Sequence, residues 1–75
     1  MTLEEAKIVF SIYLKNNNSP LSVNDYEPQI YNNDSIIFSR QASERPNPTY
    51  MVRNNKVASI NFASTTIEEV YSQLS

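Results

Sequence analysis

Glycine is absent from this 75-residue chain, where ordinary usage of about 7% would place roughly five. Loops that cradle phosphates need residues without a Cβ, so the usual nucleotide-binding turns are excluded. Cysteine, histidine and tryptophan are absent as well. With them go thiolate nucleophiles, imidazole acid–base catalysis and the commonest zinc ligands. Neither a disulfide nor a zinc site can staple the fold, so it must rest on one small apolar core, on helix caps or on self-association.

No apolar run approaches the roughly 20 residues that cross a bilayer. The opening Met1-Thr2-Leu3-Glu4-Glu5 has neither the basic start nor the apolar stretch of a secretory signal. The expectation is a cytoplasmic protein without a membrane partner. Eight acidic and six basic residues give a net charge of −2, and the basic ones are scattered. A phosphate backbone needs clustered Lys and Arg, so no nucleic-acid partner is expected.

Catalytic groupings are equally sparse. Glu4-Glu5 and Glu68-Glu69 are the only adjacent carboxylates, and both fall where a helix begins, where negative charge offsets the macrodipole. Asp25, Glu27 and Asp34 lack the spacing and the glycine of an EF-hand. The serines have no histidine to activate them, and Lys7, Lys15 and Lys56 form no Ser-x-x-Lys motif. We expect no enzyme, no cofactor, no metal and no small-molecule substrate.

What is present reads as one α+β domain over residues 1–75. Thr2 and Glu5 fit a capping box, and Leu3, Ala6, Val9, Phe10, Tyr13 and Leu14 recur at helical spacing, with Ile8 and Ile12 widening the apolar arc. Asn16-Asn17-Asn18 supplies a left-handed terminus, and Pro20 blocks continuation. A closing helix follows Ser64-Thr65-Thr66, with Ile67, Val70, Tyr71 and Leu74 in one stripe.

Between the helices the period changes to two. A hairpin turning at Asn54-Asn55 sets Met51 opposite Ala58 and Thr49 opposite Ile60, with Phe62 further along the same face. An earlier hairpin, turning at Asn32-Asn33-Asp34, pairs Ile30 with Ile36 and Pro28 with Phe38; Pro28 assigns its strand to an edge. Each hairpin then has one core-facing set.

The order α-β-β-β-β-α predicts two layers: an antiparallel sheet of three to four strands with both helices on one face. The reverse face would be left uncovered, presenting Tyr31, Ile37, Tyr50, Val52 and Val57 as a docking patch, with Arg40, Arg45 and Arg53 gripping carboxylates of an acidic partner. The polar connection 41–48 would flank it. Two readings follow: a non-catalytic module that binds a protein partner stoichiometrically, or an accessory subunit that self-associates, as a homodimer for instance, through the same face.

The opening Thr2-Leu3-Glu4-Glu5-Ala6 helix, the strand Ile36-Ile37-Phe38, the strand–turn–strand from Tyr50 to Phe62 and the closing Ser64-Thr65-Thr66-Ile67-Glu68-Glu69 helix together resemble small bacterial immunity-protein domains, the group called immunity protein 35-like. The resemblance covers most of the chain and lies in element order; the glycine-bearing final hairpin and the tryptophan- or glycine-containing aromatic strand of that group are missing, so no binding residue is carried over. It implies an immunity or inhibitor role. Abundant Asn, Ser and Ile in a short chain suit a low-GC bacterium or its phage.

Overall fold

The computed structural model describes residues 2–40 and 49–75; the 41–48 connection, including Arg45, lies outside the described residues. In chain order come α1 (Leu3–Asn16), a 3-10 turn (Val23–Asp25), β1 (Glu27–Asn32), β2 (Ser35–Ser39), β3 (Thr49–Arg53), β4 (Lys56–Ile60) and α2 (Ile67–Gln73). The strands form one antiparallel sheet in the order β1-β2-β3-β4. The α+β class and the α-β-β-β-β-α order are those expected.

Local signals act as read. The Thr2 hydroxyl accepts from the Glu5 amide, and the Glu5 carboxylate accepts from the Thr2 amide, both at 3.1 Å. At the far end Asn18 takes φ 54°, the Ser19 amide donates to the Leu14 carbonyl and the Asn18 amide to that of Lys15. That is a Schellman ending with asparagine in glycine's place. Asn54 and Asn55 adopt φ 54° and 60°, the two positive angles that a type I′ hairpin requires. Met51 faces Ala58 and Thr49 faces Ile60, while Ile30 faces Ile36 and Pro28 faces Phe38.

The placement of the helices differs from expectation. They cover opposite faces of the sheet, giving three layers where two were expected. The β2–β3 pairing sets Ile36 against Val52 and Phe38 against Tyr50, with Ile37 against Met51. Because side chains alternate between faces, the inward set of the first hairpin joins the outward set of the second. One core therefore contains Ala6, Phe10 and Leu14 of α1 with Tyr26, Ile36, Phe38 and Val52. The other contains Val70 and Leu74 of α2 with Ile37, Met51 and Ile60.

Three further side chains depart from their expected burial. Ile8 and Ile12 are 62% and 55% exposed, because Ala6, Phe10 and Leu14 define the buried side of α1 and these two point away from it. Phe62 is exposed, since β4 ends at Ile60 and no longer holds it over the sheet.

Candidate protein-docking site

The predicted patch does not exist as one surface. Val52 and Ile37 are buried, on opposite faces. Tyr50 and Val57 are half-buried against the α1 core. The Tyr50 ring lies 5.2 Å from Phe10, 5.7 Å from Tyr13 and 5.9 Å from Tyr26, and burial raises its phenol above the ordinary value. Tyr26 is raised by burial too, with the Arg40 charge opposing the rise; Arg40 itself is half-buried. Only Tyr31 keeps an exposed ring, packed edge-on to Tyr71 at 5.6 Å on the α2 side.

Arg53, expected to grip a partner's carboxylate, instead binds Asp34 and Tyr71 of its own chain, in a polar cluster that holds α2 and that sequence reasoning missed. The helix has no basic residue in its last turn and no glycine after it, so its terminal carbonyls need donors from elsewhere. Arg53 supplies one: its guanidinium donates to the Tyr71 carbonyl, lies 3.7 Å over the Tyr71 ring and bonds Asp34 Oδ2 at 3.1 Å. Asn54 Nδ2 donates to the Leu74 carbonyl at 3.0 Å. The Tyr71 hydroxyl donates to Asp34 Oδ1 at 2.8 Å. The legible signal was the lack of a C-terminal cap in α2 beside a hairpin carrying Arg53 and Asn54.

The hydrogen bond from Tyr71 holds the Asp34 carboxyl below its ordinary value, and Arg53 acts in the same direction. That bond, seen from the other side, raises the Tyr71 phenol. A depressed carboxyl stabilises the fold above its unfolded value of about 3.9 and ceases to do so as pH falls through the folded one. A raised phenol contributes below its unfolded value of about 10 and loses that contribution as pH rises through the folded one. The thermal midpoint should therefore hold a plateau between about pH 5 and pH 9 and fall on both sides. Glu5, lowered by the Thr2 amide, shares the acid limb. Asp34→Asn should flatten that limb in thermal melts across pH; an unchanged limb would refute the assignment.

No family model matches the chain, and no curated protein or solved structure matches it either. Among the described residues no cluster of acidic side chains could hold a metal ion, and no helix is long and apolar enough to cross a membrane.

Among the described residues, apart from Phe62 and Leu3, two surfaces carry large apolar side chains into solvent. The first is β1, an edge strand whose six residues are all exposed. Ile30 on its α1 side is 71% exposed, because α1 packs over β3 and β4 and stops short of the edge. Tyr31 occupies a register irregularity between Ile30 and Asn32, and its ring packs on Tyr71 of α2. The second is the outer side of α1. There Ile8 and Ile12 are exposed, and Ile12 also borders a groove of about 360 Å³ on the flank between α1 and the β3–β4 turn, lined by Val9, Tyr13, Asn16, Asn55 and Val57.

Proposed function

We propose that this chain is a non-catalytic protein-binding module of the immunity or inhibitor type. It acts by stoichiometric association, with an extended segment of its protein target added to β1. The observation that carries this reading is the exposure of all six β1 residues. An edge strand offers unpaired backbone donors and acceptors that another chain can complete. Here Ile30 and Tyr31 project from opposite faces of that edge, so the incoming strand meets an apolar contact on each side.

The rest of the molecule supports the same conclusion. β4, the other edge, has Ile60 buried and Val57 and Ala58 half-buried beneath the helices, which leaves less side-chain surface for a partner. Pro28 lacks an amide proton, so strand addition is confined to the Gln29–Asn32 part of β1, where Ile30 and Tyr31 lie.

The test is capture of the target by the immobilised chain from its native host, followed by titration calorimetry. Ile30→Lys removes the apolar contact from a side chain that supports no core, so the melting temperature should stay within a degree or two. Affinity should fall by about tenfold or more. Full affinity in the folded variant would move the docking site away from β1.

A further inference from the structure

The outer side of α1 carries a pattern that is independent of β1. At 100° per residue, Ile8 and Ile12 lie roughly 160° round the helix from Phe10, which is wholly buried. Glu5 and Lys15 continue the same line, so positions 5, 8, 12 and 15 repeat at the three-then-four spacing of a coiled-coil seam. The seam is acidic at one end, apolar in the middle and basic at the other. Among the described residues the one ion pair joins Arg53 and Asp34, so neither Glu5 nor Lys15 forms an ion pair with another described side chain; Glu5 caps the Thr2 amide through one oxygen.

We propose that this seam is covered by a second copy of the chain, the two α1 helices running antiparallel about a two-fold axis that crosses the seam midway between Ile8 and Ile12. In an antiparallel pair the residue numbers that meet add to about 20. Ile8 then packs on Ile12 of the other copy, and Glu5 meets Lys15, at both ends. A parallel pair would set Glu5 against Glu5 and Lys15 against Lys15, which the charges disfavour. Val9 and the groove beside Ile12 close against their counterparts as the helices approach.

Size sets the strength. A stable dimer at the small end takes about 600 Å² from each copy, about one eighth of the 5146 Å² that the chain exposes. One pair of 14-residue helices and its bordering grooves reach only the lower end of that range. The association expected is accordingly micromolar and weakened by salt. It leaves β1 of each copy free, so the dimer would present two docking edges.

Sedimentation equilibrium of the full chain at low salt should show mass rising with concentration from 8.6 kDa toward twice that value. The double variant Ile8→Gln/Ile12→Gln should stay monomeric with an unchanged far-ultraviolet spectrum, because neither side chain is buried. Glu5→Lys alone and Lys15→Glu alone should each lose at least about tenfold in self-association, since each sets like charges together at both ends. Mixed, these two variants should form a heterodimer, because both ends then pair opposite charges. Glu5→Lys also removes a cap, so its spectrum and melt are recorded first; if it fails to fold, Lys15→Glu alone carries the charge test. Wild-type chain that stays monomeric at every concentration overturns the proposal and leaves the β1 reading intact. A dimer that survives the double glutamine variant, or folded charge variants that do not mix, overturns it as well.

Discussion

Phe10→Ala is expected to remove most of the stability of this domain. Phe10 has no solvent exposure and stands at the centre of an aromatic cluster, with ring centroids 4.6 Å from Phe38, 4.9 Å from Tyr26 and 5.2 Å from Tyr50. Truncating a buried Phe costs about 3–5 kcal/mol through lost transfer energy and an unfilled cavity. The whole margin for 75 residues is about 4–11 kcal/mol. The loss is thus comparable with the total. Phe38 and Tyr50 are held by β2 and β3 and cannot collapse into the gap without leaving the sheet, and Tyr26 is fixed by the strand that begins at Glu27. Urea titration followed by tyrosine fluorescence and circular dichroism measures the change, and a loss below about 1.5 kcal/mol would mean that the α1 face is not the principal core.

Tyr50→Ala should also destabilise, although a docking role for Tyr50 would have left the fold intact. The reason lies in how the two hairpins join. Within the second, asparagines take the positive φ angles that glycine normally supplies, and turn length sets Met51 against Ala58. Within the first, the turn is shorter than the expected three residues, Asn32 pairs with Ser35, and the irregularity at Tyr31 brings Ile30 back against Ile36. Between them runs the 41–48 connection, whose length does not fix which face of one hairpin meets which face of the other. A shift of one residue exchanges every side chain between faces. The observed β2–β3 pairing sets Ile36 beside Val52 and Ile37 beside Met51, so both faces become core and each needs its own helix. The apolar residues on both sides of every central strand already contained this answer. They read as one buried and one sticky face only while the helices were assigned to one side.

Exposure was the least legible feature. Ile8, Ile12, Ile30 and Phe62 are large aliphatic or aromatic residues, and pattern alone places such side chains inward. What exposes them is finite coverage: α1 is too narrow to reach β1, and α2 is only seven residues long. The same shortness makes α2 dependent on its neighbours, since an isolated helix of that length does not persist in water.

That dependence gives the second large effect. Arg53→Ala is expected to cost about 2–3 kcal/mol, because one guanidinium that is 14% exposed serves a carboxylate, a helix carbonyl and an aromatic ring at once. The damage should be uneven. Amides of α2 should lose hydrogen-exchange protection before those of α1, since α2 is anchored through Arg53 whereas α1 rests on the opposite face. Arg53→Lys separates charge from geometry: an ammonium can hold Asp34 or the Tyr71 carbonyl but lacks the planar fork that reaches both. It should recover less than half of the loss. Full recovery by Lys would reduce the role of Arg53 to its charge alone, and equal loss of protection in both helices would show that the anchor belongs to the whole fold rather than to α2.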